Sequence, residues 1–202
     1  MRLVLGFGLI FSMQEYMPIP WRVCRALDNS IRLEMLRAVM LSSHPASVSD
    51  ISAAVNEKES VTSQYLRILN MQGFIVAVRR GKNVFYERRR DGAKEFMRLV
   101  DELESMFEQS DWKERVLAVL PAFSNARKTA ILSELNKGGA ISVELLAERS
   151  FMPVKTCYRI IGELARLGFV QSSADAVISV ATPEDRLAKA FLDYSIINSR
   201  KL

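Results

Sequence analysis

Histidine and cysteine are almost absent from this chain, with one His and two Cys in 202 residues. Cys24 and Cys157 lie far apart in sequence, which excludes a disulfide framework and fits a reducing compartment. Cys157 falls on an apolar helical stripe and reads as a buried structural thiol. His44 sits beside Pro45 in a polar loop and reads as surface. So few soft ligands leave no zinc or transition-metal constellation, and no metal site is expected. Catalytic signatures are missing too: there is no G-x-G-x-x-G, no Walker loop, no G-x-S-x-G and no Ser–His or Cys–His pairing. The many carboxylates fall on solvent-facing helix positions. The expectation is a non-enzyme with no cofactor.

Long apolar runs are scarce as well. The first twelve residues, MRLVLGFGLIFS, begin like a secretory signal, with Arg2 ahead of an apolar run. A membrane-spanning helix needs about 20 apolar residues, and no A-x-A-like cleavage site follows. Three readings stay open: a segment that packs in a dimer, a true start at Met13 or Met17, and a membrane role. The first is preferred, with a cytoplasmic protein and no membrane partner.

What the chain does contain suits packed cores: 49% of its residues are apolar. Its length suits two small domains. The net charge of +5 and the pI near 9.4 favour an anionic partner, although the charges are mixed along the chain.

The most informative stretch is Ser47 to Arg90. Val48, Ile51 and Val55 recur at helical spacing. Asn56 to Glu59 breaks the pattern, and Ser60 is placed to cap a second helix. Thr62, Tyr65, Leu66 and Leu69 form its apolar stripe, and Gly73 stops it. Phe74–Val78 and Val84–Tyr86 flank a Gly81-Lys-Asn turn, the pattern of a hairpin. Helix, turn, helix and hairpin is the order of a winged helix-turn-helix.

That order points to DNA. A second helix braced by the first fits a major groove about 12 Å wide. Its residues off the apolar stripe include Ser60, Ser63, Gln64 and Arg67, all able to bond base edges or phosphates. The hairpin adds Arg79, Arg80, Lys82, Arg88, Arg89 and Arg90 against one acid, Glu87. Such a cluster suits a wing lying along the phosphate backbone. The alternative is a winged helix used for protein contact, with a solvated basic hairpin.

Ala26–Leu36, Val48-Ser-Asp-Ile, Ser60–Leu66 and Gly73-Phe-Ile with the arginine-rich hairpin resemble the arsenic-repressor (ArsR-type) regulators in order and spacing, over roughly residues 20–110. The resemblance implies a homodimeric transcriptional regulator, usually a repressor, that binds double-stranded DNA through a recognition helix at 60–72 and a basic wing at 76–90. It also implies dimer-forming helices near Trp21–Leu27 and Asp91–Phe107. The apolar face of the latter, Phe96, Val100, Leu103 and Phe107, is therefore the expected dimer interface. Metal-sensing members carry cysteines on the helix matching Val48–Val55; none stands there, so metal sensing is not implied. The effector is unknown.

The rest repeats the first half. Leu66–Ile75 compares with Ile161–Val170, and the Gly-Phe pair at Gly73 recurs at Gly168, 95 residues on. The second recognition-like helix, Pro153–Leu167, carries Lys155 and Arg159 as candidate DNA contacts. Its wing, Phe169–Val180, has no basic residue and one acid, Asp175. A closing helix follows Pro183. The expected fold is mainly α with small β-hairpins (α+β), as tandem winged helix-turn-helix domains. The expected organisation is an N-terminal segment at 1–19, an ArsR-like DNA-binding domain at 20–110 and a second winged helix at 111–202. A tandem winged-helix interaction protein, similar to the subunits of chromosome-organising complexes, is the alternative function.

Overall fold

The computed structural model describes residues 18–173 and 177–198. The N-terminal segment through residue 17, and Asp175, lie outside the described residues.

Chain order explains the elements. Helix α1 (Pro20–Leu27) opens on a proline, whose missing N–H is no loss in a first turn. Helix α2 (Ser30–Met40) is capped by Asn29, whose side chain accepts from the Arg32 amide. A short strand β1 (Ala46–Ser47) leads into α3 (Val48–Val55), where Ser47 and Asp50 form a reciprocal capping box. Helix α4 (Glu59–Met71) follows, then β2 (Ile75–Arg80), β3 (Asn83–Arg88) and α5 (Lys94–Phe107).

The second half repeats this order. It runs α6 (Trp112–Val119), a 3-10 turn at Leu120–Phe123, α7 (Ala126–Gly138), β4 (Ile141–Ser142), α8 (Val143–Arg149), α9 (Val154–Arg166), β5 (Val170–Ser172), β6 (Val177–Val180) and α10 (Arg186–Asn198). Asn125 caps α7 as Asn29 caps α2, and Ser142 caps α8 as Ser47 caps α3. The sheets match in order, β1-β3-β2 and β4-β6-β5, both antiparallel.

Two helix starts differ from expectation. Helix α4 begins at Glu59, so Ser60 sits inside its first turn instead of capping it. Helix α5 begins at Lys94 with Ala93 as its N-cap, not at Asp91, whose carboxylate pairs with the Arg89 guanidinium at 3.3 Å.

The larger difference is at α5. Phe96, Val100, Leu103 and Phe107 are all buried within the one chain, at 1% exposure or less. The face expected to pair two copies is packed here against α10, whose Leu187, Ala190, Phe191 and Tyr194 are buried and whose Tyr194 meets Phe96. The Phe96 ring lies 5.5 Å from Phe74 and 5.4 Å from Tyr194. The two helices run antiparallel, since Arg98 meets Asp193 at 3.0 Å while Glu102 meets Arg186 at 2.9 Å. The sequence signal is real, because α5 has more apolar face than one small winged helix buries. It does not say that the covering surface comes from the same chain. The buried side chains accordingly form one cluster that runs through both halves.

Arg37 strengthens the same joint, donating from Nε to the Phe107 carbonyl at 2.9 Å and stacking 5.6 Å over Trp112. Asp185 bonds the Ala188 amide and the Arg115 guanidinium. Burial alone would raise its carboxyl, but these two donors outweigh that and hold it below the usual carboxylate range.

Truncating the seam should therefore unfold the chain, not split a dimer. Leu103→Ala removes a fully buried side chain and is expected to cost about 2–5 kcal/mol, read by urea denaturation with no change of mass in light scattering. A dimer falling apart with stability intact would contradict this.

Candidate nucleic-acid interface

Helix α4 is set by what it buries. Thr62, Leu66 and Leu69 face the core, and Tyr65 packs beneath the Arg32 guanidinium at 5.1 Å. The turn before it depends on Asn56, which takes the left-handed conformation (φ 52°) that asparagine tolerates. Ser52 then donates to the Glu57 carbonyl at 2.5 Å and closes the turn.

With that face fixed, Ser60, Gln64, Arg67 and Met71 recur at three- and four-residue spacing on the opposite, exposed side. Ser63 lies half-buried at the edge of this stripe. The exposed face thus offers a hydroxyl, an amide and a guanidinium, the donor and acceptor set that reads base edges.

The wing supplies the cations. In the β2–β3 hairpin Arg79 pairs across to Val84 and Arg80 to Asn83, leaving Gly81 and Lys82 as the turn. Gly81 has φ 63°, a conformation a hairpin turn demands and glycine supplies. Arg79, Arg80 and Lys82 are exposed, and among the described residues none has a carboxylate within ion-pair distance. Arg80 stacks on Phe85 at 5.7 Å, which limits how far its head group wanders.

Arg88 does not belong to this set. Its side chain is 12% exposed and held by Asp101 and by Glu104, the latter at 3.2 Å. Arg89 is similarly tied to Asp91. Both anchor the end of the wing to α5 or its approach, so their charge is spent inside the protein. A run of three arginines looks alike in sequence; only Arg90 of the three is exposed.

The second copy presents a different surface. Ser60, Ser63, Gln64 and Arg67 are matched, 95 residues on, by Lys155, Tyr158, Arg159 and Gly162. Lys155 and Arg159 are exposed, but Arg159 binds Glu163 at 2.5 Å. Lys128, hydrogen-bonded to Glu163, and then Arg159 hold that carboxyl below its ordinary range. The Tyr158 hydroxyl donates to Glu144 at 3.1 Å. Apolar side chains dominate what is left: Phe151 is 97% exposed, with Val154, Tyr158 and Leu145 beside it in sequence or one turn away. The described wing residues Gln171, Ser172 and Ser173 carry no charge.

Neither cysteine is available for chemistry: both are buried, which pushes both thiols up. Among the described residues no group of three or more His, Cys, Asp or Glu is placed to hold a metal ion, and no helix is long and apolar enough to cross a membrane.

Models of known families match one segment in each half of the chain. The family model of the bacterial regulatory protein, arsR family, matches residues 29–76, from the cap of α2 into β2. A model of winged helix-turn-helix DNA-binding domains matches residues 124–171, the corresponding part of the second half. No curated protein matches the chain. Among solved structures, reduced HlyU from Vibrio cholerae N16961 is 23% identical, covering 44% of this chain and 87% of its own, with a TM-score of 0.36. Human N-acetylserotonin methyltransferase in complex with SAM is 14% identical over 74% of this chain, with a TM-score of 0.36, and the chain spans only 39% of its length. Both structural likenesses are too distant to carry an argument. The weight rests on the two family matches, and by them the chain carries an ArsR-family helix-turn-helix at residues 29–76 followed by a second DNA-binding winged helix-turn-helix at residues 124–171.

Proposed function

We propose that this protein is a transcriptional regulator, acting as a repressor, that docks α4 in a major groove and lays the β2–β3 hairpin on the adjoining phosphates. The carrying observation is the exposed Ser60–Gln64–Arg67 face of α4 on the same unit as three exposed wing cations that have no carboxylate partner among the described residues. Bases are read by the helix, and affinity comes from the wing. The unit at residues 20–110 is the reader; the unit at 111–202 adds at most a helix contact through Lys155.

The homodimer expected from sequence is replaced in this reading by a single chain that supplies both halves. The α5 face is filled by α10, and a symmetric pairing would also set like charges together. Arg98 and Asp193 are 95 residues apart, so they occupy equivalent repeat positions, and they face each other. Two copies pairing α5 with α5 would bring Arg98 against Arg98.

Docking on protein is favoured at one place on the second unit, the start of α9 and the turn before it, where Phe151, Val154 and Tyr158 are exposed. It leaves the first unit's role unchanged.

Binding to duplex DNA across salt tests the assignment. Arg79→Ala is expected to weaken all sequences alike and lower the salt slope by about one, whereas Arg88→Ala leaves the slope unchanged and lowers thermal stability. Selection on randomised duplexes should show Gln64→Ala or Arg67→Ala costing about 1–3 kcal/mol on the preferred site and relaxing one base choice, with Arg159→Ala costing less. An unaltered site preference in Gln64→Ala together with its loss in Arg159→Ala would reverse the roles of the two copies. In light scattering the free protein should hold the mass of one 22.9 kDa chain at all concentrations; a stable dimer would overturn the single-chain unit.

A further inference from the structure

A cavity of about 260 Å³ opens where α1 meets α7 and the turn between α8 and α9. Its walls come from both halves of the chain: Ile19, Pro20 and Trp21 on one side, Ala126 and Ala130 on the other, with Phe151 at the turn. We propose that this cavity is a binding site for a small aromatic carboxylate.

Three observations carry the class of ligand. The walls are largely apolar, with the indole of Trp21 and the ring of Phe151 offering flat surfaces to an aromatic body. Ser133 and Ser150 also line the cavity, and among the described residues neither hydroxyl has a hydrogen-bond partner. Both oxygens are shut off from solvent, so either meets a ligand atom only after its side chain rotates, and such a rotation would satisfy it. The rim carries Arg149, Lys137 and Glu134. Lys137 and Glu134 neutralise each other at 2.7 Å. Arg149 has no carboxylate within ion-pair distance among the described residues, and its guanidinium lies close against Gly138. One unspent planar cation above an apolar wall with two hydroxyls selects an acid over a neutral or basic molecule. The volume of about 260 Å³ falls just below the roughly 300–1,000 Å³ found for ligand clefts, so the body is a single ring system.

Phe151 adds an independent mark. It has φ 51°, a left-handed conformation that strains a bulky residue, and it is 97% exposed. The equivalent position in the first unit is Asn56, φ 52°, a residue suited to that backbone. An aromatic ring held at a strained turn and left in water has no use in packing. As a wall completed by a ligand ring, it has one.

The test uses the full chain with Trp112→Phe, which leaves Trp21 as the one tryptophan of the sequence. The probe is 3-phenylpropionate, with its neutral amide as control, followed by Trp21 fluorescence and by calorimetry. Saturable binding of the acid is expected, at least about tenfold weaker for the amide and for Arg149→Gln, a difference of about 1.4 kcal/mol. Ala130→Leu, which fills the cavity, should abolish it. Circular dichroism checks that variant's fold, and the Arg149→Gln change at the rim gives a second readout that does not touch the core. No saturable signal, equal binding of the amide, or undiminished binding by folded Ala130→Leu would each overturn the proposal. None of these outcomes depends on DNA binding, so the proposal stands or falls apart from the regulator reading.

Discussion

The packing of α5 against α10 is the constraint on which the rest of the chain depends. A winged helix of this size has a small core of its own and leaves the apolar side of its last helix uncovered. Here each unit's last helix covers the other's. The two helices bury large residues, Phe96 and Phe107 on α5 and Phe191 and Tyr194 on α10, all at 1% exposure or less, and Phe96 meets Tyr194 across the seam at 5.4 Å. Tyr194 extends the seam, donating its hydroxyl to the Pro18 carbonyl and so tying the approach to α1 to the far end of the chain. At roughly 1.5–3 kcal/mol for each large apolar side chain buried, the seam outweighs any of the surface ion pairs around it. Those pairs, Arg98–Asp193 and Arg186–Glu102, decide direction and register instead.

With the seam in place, the two copies are free to diverge in chemistry. The scaffold features are kept in pairs: an asparagine cap at residues 29 and 125, a serine cap at 47 and 142, a glycine stop at 73 and 168. The outward positions are not kept. Ser60, Gln64 and Arg67 stand where the second copy has Lys155, Arg159 and Gly162. Arg159 is neutralised by a carboxylate on its own helix, and the described part of the second wing has no charge. One copy keeps a wing with exposed cations, and the described part of the other copy's wing has none.

Much of this is legible in the sequence because it is local. The helical periods, the turn glycines, the hairpin and the 95-residue repeat depend on neighbours in the chain. The outward face of α4 follows once its apolar stripe is placed. What is not legible is what depends on distant partners. Arg79 and Arg88 look equivalent in a row of basic residues; only the fold shows that Asp101 and Glu104 hold Arg88 while Arg79 pairs with no carboxylate among the described residues. The apolar face of α5 announces a partner without saying whether it is another chain or a later segment of the same one. The cavity between α1 and α7 is invisible for the same reason, since Trp21 and Ala130 belong to different repeats. The helix starts at Glu59 and Lys94 escape a sequence reading because Ser60 and Asp91 each have the chemistry of a cap, and neither has the geometry of one.

The pair Arg98 and Asp193 shows why a fused repeat differs from a dimer of identical chains. In a symmetric pair a residue near the axis meets its own copy, so a charge there is met by the same charge. Here the repeat offset places position 98 against its equivalent, 193, and the two carry opposite charges at 3.0 Å. Identical subunits cannot make that contact; two linked and separately mutable copies can. The Coulomb gain is small, since both side chains are partly exposed and such pairs contribute about 0–1 kcal/mol. Its effect is on choice of partner: α5 with α10 gains an attraction, α5 with a second α5 acquires a repulsion, and the difference is the sum of the two. With opposite charges at equivalent positions, this contact favours α5 against α10 over α5 against a second α5.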